Sequence, residues 1–302
     1  MPNVKANGIQ IEYDTFGDRR GRPLLLIMGL GTQMIAWEED FCRQLADRGQ
    51  FVIRFDNRDV GLSTKFKAAG VPNVLKAMAA AARGEEVKAP YTLEDMAEDT
   101  VGLLDVLGLA TAHVCGASMG GMIAQTIAIR HPERLRSLIS IMSSTGNPKL
   151  PQAKPEVMQV LLKPAPAERE AFIEHMLKTW RTIAGPGFPF DDDRMRAQMA
   201  RSFDRCFCPA GTVRQLMAII AQGNRKPALA SVRVPTLVIH GADDPLVPVA
   251  AGRDTAEAIP GAELLIFKGM GHDLPPALWP KLVEAISAHT QKAEKVNRGV
   301  KK

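Results

Sequence analysis

Residues 114–122 read VCGASMGGM, a serine with glycines two positions before and two after it, set between an apolar run and a helical pattern. Gly116-Ala117-Ser118-Met119-Gly120 fits G-x-S-x-G, the pattern of a serine presented on a sharp strand-to-helix turn. A serine in such a turn takes an unfavourable backbone conformation, and its neighbours two residues away must lack side chains for the chain to double back. The helix that follows aims free N–H groups and a partial positive charge at the Ser118 oxygen. That arrangement serves nucleophilic attack on a carbonyl. A phosphate loop is the competing use of such glycines. The stretch, however, lacks the G-x-G-x-x-G spacing and the Lys-Ser/Thr of a Walker loop, and it follows a mid-chain strand.

A serine hydroxyl needs a base, and the base needs an orienting acid. Of six histidines, His131 stands before Pro132 at a helix end, and His175 and His289 fall within helical patterns. His113 and His240 fall within strands, and all five suit packing or surface roles. His272 differs: it stands in KGMGHDLP, a glycine-rich loop just past a predicted strand over residues 262–268, where ligand sites of parallel sheets gather. Asp243 and Asp244, in VIHGADDPLVP, follow another predicted strand. An Asp-Asp-Pro also makes a turn with helix-capping aspartates, so one of the two serves as the acid and the other as a cap.

These residues require strands to carry them. Apolar runs at residues 9–16, 24–28, 51–55, 112–116, 135–142, 235–241 and 262–268 end near Gly or Asp, and helical patterns lie between them. Among these, Thr92 and Asp95 form a capping box before an apolar stripe that stops at Gly108. Residues 119–130 are apolar on most sides and predict a deeply buried helix. Continuous apolar strands alternating with helices mean an α/β protein with a mostly parallel central sheet covered by helices on both faces. The rhythm breaks at residues 145–230, which read as four helices without strands: a helical cap inserted into a core of residues 1–144 and 231–291. A shorter insertion spans residues 67–90.

On these residues the chain resembles the α/β-hydrolases over nearly its whole length. Ser118, then Asp243 or Asp244, then His272 is that family's order. Further matches are IMGLG at the end of the predicted strand over 24–28, RFDNRDVGLST at the end of that over 51–55, and HGADDPLVP and GMGH late in the chain. Within the family it is most similar to the serine methylesterase branch of the aclacinomycin methylesterase type, which shares R-x-D-x-R-D-x-G-x-S and G-M-G-H-x-L-P. The resemblance implies an esterase with a Ser118, Asp244, His272 triad, Asp244 being the residue before Pro245 and Asp243 the fallback. It also implies an oxyanion hole from the backbone N–H groups of Leu30 and Met119, each donor being worth about 3 kcal/mol. One departure stands out: the oxyanion loop starts Met28-Gly29 where the family commonly has His-Gly. A serine at 118 argues against the aspartate-dependent dehalogenases and epoxide hydrolases. Lactonases, cofactor-free perhydrolases of the haloperoxidase kind and C–C bond hydrolases use the same triad, and a ligand receptor on this fold is the non-enzyme alternative.

A small-molecule ester is the expected partner, and Met34, Trp37, Trp180, Phe188 and Phe190 the expected substrate wall. No cofactor and no metal are expected: Asp191-Asp192-Asp193 reads as an acidic helix cap, and Cys206 and Cys208 lack a second pair at zinc spacing. Asp56, Arg58 and Asp59 read as a hydrogen-bonded brace under the site. Of the net charge of +5, +4 falls in residues 292–302, read as a basic, disordered tail. The near-neutral remainder carries no nucleic-acid footprint. The N-terminal stretch has no apolar signal region and no run reaches a membrane span. Together with four cysteines that read as reduced, this predicts a cytoplasmic protein.

Overall fold

Leu24, Leu25, Leu26 and Ile27 are all fully buried, and they divide by parity. Leu24 and Leu26 join one apolar cluster, Leu25 and Ile27 the other. Successive strand side chains point to opposite faces, so an unbroken apolar run makes a strand covered on both sides. The computed structural model, which describes residues 2–299, builds an eight-stranded sheet on this rule. Its strands are β1 (Asn3–Ala6), β2 (Ile9–Phe16), β3 (Arg22–Ile27), β4 (Gln50–Phe55), β5 (Ala112–Ala117), β6 (Leu135–Ile141), β7 (Thr236–Gly241) and β8 (Glu263–Phe267). They lie in the order β1-β2-β4-β3-β5-β6-β7-β8. From β4 to β8 every pairing is parallel, while β1 and β2 pair antiparallel at one edge. β1 is short and half exposed, and its apolar pattern alone does not announce it. The signal lies in Asn7-Gly8, both at positive φ (45° and 77°), which closes the hairpin pairing Ala6 with Ile9.

The helices are α1 (Glu39–Asp47), α2 (Val74–Ala82), α3 (Leu93–Val106), α4 (Met119–Arg130), α5 (Pro155–Leu161), α6 (Arg169–Ile183), α7 (Asp192–Arg205), α8 (Pro209–Gln222), α9 (Lys226–Leu229), α10 (Val249–Ala258) and α11 (Trp279–Gly299). α3 and α4 cover one face with Leu104, Ile123 and Ile127. α1 and α11 cover the other with Phe41, Leu45, Leu282 and Ile286. α3 starts on the capping box, with the Thr92 side chain accepting from Asp95 N–H and the Asp95 carboxylate accepting from Thr92 N–H. Such a cap contributes about 1 kcal/mol.

α5 to α8 fall between β6 and β7, and α6 and α7 share a small core of Ile173, Leu177, Met195 and Met199. The acidic run caps α7, the Asp191 side chain accepting from Arg194 N–H. The stretch from residue 292, read as a disordered tail, is instead a continuation of α11 as far as Gly299. Ala293 is fully buried, Lys292 pairs with Glu263, and Glu294 pairs with Arg136 at 2.7 Å. Charge alone suggested a frayed end, but these partners hold the helix on. Residues 300–302 of that tail lie outside the described residues. Among the described residues no helix is long and apolar enough to cross a membrane.

Candidate active site

Ser118 stands between β5 and α4 at φ 54° and ψ −120°, a left-handed conformation that a residue with a side chain rarely takes. The turn is pinned from several sides. Ser118 N–H donates to the Ile141 carbonyl at 2.9 Å, and the Ser118 carbonyl accepts from Gly121 N–H at 2.9 Å and from Ser143 Oγ at 2.8 Å. The flanking glycines answer a need for space: a Cβ on Gly116 would lie 2.0 Å from the Gly120 carbonyl oxygen, and one on Gly120 would lie 2.1 Å from that of Ile27. Crowding at a strand end thus forces the serine outward.

His272 Nε2 lies 3.0 Å from Ser118 Oγ, and His272 Nδ1 lies 2.7 Å from Asp244 Oδ2. The other Asp244 oxygen accepts from Leu246 and Val247 N–H at 2.9 and 2.8 Å. His240 Nε2 donates to the Val247 carbonyl at 2.7 Å and braces the same turn. A carboxylate held by backbone donors on one side accepts Nδ1–H on the other, which leaves Nε2 bare toward the serine hydroxyl. Asp243 points elsewhere, its Oδ2 accepting Gly269 N–H at 2.7 Å. His272 and Asp244 are 5% and 6% exposed, so their contact is screened from bulk water.

The loop carrying His272 is clasped by the loop after α6. His272 N–H donates to the Ile183 carbonyl at 2.8 Å, and Gly187 N–H donates to the Gly269 carbonyl at 2.9 Å. A Cβ on Gly185 would sit 2.2 Å from both Gly269 O and Gly271 N. The two loops meet backbone to backbone.

Leu30 and Met119 flank the serine from two sides. Met119 opens α4, so its N–H belongs to the first turn, which has no intrahelical acceptor. Gly29, beside Leu30, is so close that a Cβ there would lie 3.2 Å from Ser118 Cβ. The loop is held by Asn57 Nδ2 on the Met28 carbonyl at 3.0 Å and by Gly31 N–H on Gln215 Oε1 at 2.8 Å. Beneath them the brace is built as charge pairs. Arg58 forks onto Asp99 at 2.6 and 2.7 Å and lies over the adjoining rings of Phe66 and Tyr91. Arg214 forks onto Asp59 at 2.8 and 2.7 Å, and Asp56 accepts Met34 N–H at 2.9 Å.

A cavity of about 60 Å³ adjoins these loops, its lining including Met28, Met142, Trp180, Phe190, Gln198 and Asp273. Of the expected wall residues, Trp180 and Phe190 line it, while Phe188 packs against the core beside it. Met34 and Trp37 belong to the interior: both are buried, and Trp37 stacks on Phe41 with ring centroids 5.6 Å apart. The one-turn helix Met34–Ala36 folds them under the loop instead of along the cavity. Sequence reading did not single out Gln198, although it breaks the stripe of Met195 and Met199 at helical spacing. Asp273 gave no signal beyond its place beside His272.

The chain belongs to the α/β hydrolase fold family, whose profile matches residues 22–275. It is 31% identical to the rhodomycin D methylesterase DauP of Streptomyces sp. (strain C5), over 96% of this chain and 98% of that protein. The rhodomycin D methylesterase DnrP of Streptomyces peucetius is also 31% identical, with the same coverage of 96% and 98%. Among solved structures, the enol-lactonase from Burkholderia xenovorans LB400 superposes with a TM-score of 0.69 at 23% identity, covering 97% of this chain and 100% of that one.

Proposed function

We propose that the protein is a serine hydrolase that cleaves carboxylic esters of medium-sized, apolar molecules through an acyl-enzyme. The observation that carries this reading is the unbroken hydrogen-bonded line from Ser118 Oγ to His272 at 3.0 Å and on to Asp244 at 2.7 Å. Ser118 attacks the ester carbonyl while His272 Nε2 takes its proton. Asp244 keeps the imidazole in the right tautomer and stabilises its positive charge. The negative charge on the carbonyl oxygen is met by the N–H groups of Leu30 and Met119, about 3 kcal/mol each. His272 then returns the proton to the departing alkoxide. In the second half, it draws a proton from water so that hydroxide attacks the acyl-serine.

Residues 145–230 act in this reading as a cap on a core of residues 1–144 and 231–291. Support comes from Trp180, Phe190 and Gln198, which this stretch contributes to the cavity wall. The relatives named as methylesterases support a small alcohol as the leaving group. Four unpaired cysteines fit action in the reducing cytoplasm. The test is hydrolysis of a panel of methyl, p-nitrophenyl and lactone esters by the wild type and Ser118→Ala. Turnover by the wild type alone is expected, and equal rates in both proteins would refute the nucleophile.

A further inference from the structure

α8 meets the loop that carries the proposed oxyanion donor Leu30 at close range. A Cβ on Gly31 would lie 2.6 Å from Thr212 Oγ1, and one on Gly211 would lie 2.0 Å from the Asp59 carbonyl oxygen. One turn beyond Thr212, Gln215 Oε1 accepts from Gly31 N–H at 2.8 Å and Gln215 Nε2 donates to the Arg58 carbonyl at 2.7 Å. Gln215 is fully buried. Both ends of its amide are spent on backbone, so it acts on the loop and not on a substrate.

The bond to Gly31 falls where the loop's own residues leave its shape open. Thr32 N–H donates to the Gly29 carbonyl at 3.3 Å, so residues 29–32 form a turn, with Gly31 third in it at φ 64°. A positive φ at that place marks the turn type whose central peptide, here the one joining Leu30 to Gly31, is flipped relative to the commoner type. Glycine takes either sign of φ at little cost, so an outside acceptor decides which way that peptide faces. The Thr32 hydroxyl donates to the Leu30 carbonyl at 3.1 Å, but a hydroxyl rotates to suit its surroundings. A buried amide set between an N–H and a carbonyl has one orientation only. The N–H groups of Gly31 and Thr32 are both spent within the protein, which singles out Leu30 N–H as the one to meet an oxyanion.

We infer that Gln215 is a positioning residue for the oxyanion hole. By fixing the peptide between Leu30 and Gly31, it aims Leu30 N–H at the carbonyl oxygen under attack, and so ties the hole to the inserted helices. The inference rests on the esterase reading, and the test separates the two. Gln215→Met fills nearly the same space without an acceptor. On a p-nitrophenyl ester its kcat is expected to fall about tenfold to a hundredfold, short of the loss of a whole donor, with KM within about threefold. Gln215→Glu keeps an oxygen at Gly31 N–H and is expected to stay within about fivefold of wild-type kcat, even where its buried charge lowers Tm. Gln215→Asn, which withdraws the amide by one methylene, serves if the apolar variant does not fold. An alkyl trifluoromethyl ketone reads the hole itself. Ser118 Oγ adds to its carbonyl carbon, the hydroxyl proton passes to His272, and the carbonyl electron pair becomes an oxyanion. Its inhibition constant is expected to weaken in Gln215→Met by about the same factor as kcat. Wild-type kcat and inhibition in folded Gln215→Met overturn the inference alone, as do equal kcat losses in the Met and Glu variants or a change confined to KM. A wild type that turns over no ester overturns the esterase reading and this role for Gln215 with it.

Discussion

The backbone N–H of His272 donates to the carbonyl of Ile183, the last residue of α6, over 2.8 Å. His272, the proposed base, is therefore fastened to the inserted helices as well as to the sheet. Because the loops pack glycine on glycine, there is no side chain to yield if either moves.

Gly185→Ala tests this clasp. Its Cβ would need the place of Gly269 O and Gly271 N, both 2.2 Å away and both backbone. The variant should fold with a lowered Tm and lose about tenfold to a hundredfold in kcat, because a misplacement of about 1 Å at the base costs rates of that order. Wild-type kcat in a folded Gly185→Ala would mean that the clasp does not position His272.

The two adjacent aspartates make opposite predictions. Asp244→Asn removes the acceptor that sets the imidazole tautomer and should lower kcat on the order of 10⁴-fold. Asp243→Asn still accepts from Gly269 N–H and should stay within about tenfold of wild type. Steady-state kinetics on one p-nitrophenyl ester compares them, and a larger loss at Asp243 would reverse the assignment.

Arg58 and Asp99 are both buried, with side chains 6% and 3% exposed. Arg58→Met strands a carboxylate that burial already pushes up from its ordinary value, so it should cost about 3–5 kcal/mol. Adding Asp99→Leu removes the stranded charge and should recover most of that loss. Urea unfolding of the two single variants and the double variant provides the cycle, and purely additive losses would show that the fork is not a coupled unit.

Acid should weaken the fold through His113. Burial lowers its imidazole from the ordinary 6.5 to about 3, beside Ser137, Glu294, Arg136 and His289. A depressed histidine favours the folded state above about pH 6.5, and that stability drains away as pH falls from there toward the lowered value. Tm measured from pH 7.5 to 4.5 should fall on the acid side, and His113→Gln should flatten the fall. An unchanged slope would place the acid sensitivity elsewhere.

The central strands and most helices were legible because their signals are local. Leu24 to Ile27 announces a doubly covered strand, and Thr92 with Asp95 announces a helix start. That Ser118 and His272 stand just past strands was legible too, since glycine spacing at a strand end reflects crowding within a few residues. Less legible was whatever depends on a distant partner. Asp243 and Asp244 look alike in sequence, and only the approach of Gly269 to one and His272 to the other separates them. Trp37 is expected in the substrate wall, but Phe41, one helical turn on, takes it into the core. The sequence set no bounds for α10, which carries Gly252 within it. That glycine is needed where a Cβ would lie 2.6 Å from His240 Nδ1, a contact no local pattern reveals.

The central claim is that Ser118 carries the acyl group, and covalent labelling tests it most directly. Incubation with a p-nitrophenyl phosphonate ester, followed by intact and peptide mass spectrometry, should give one adduct per chain, on Ser118, with ester hydrolysis lost in proportion. Ser118→Ala should take none. Ester turnover that persists after full labelling, or an adduct on another residue with Ser118 unmodified, would contradict the account.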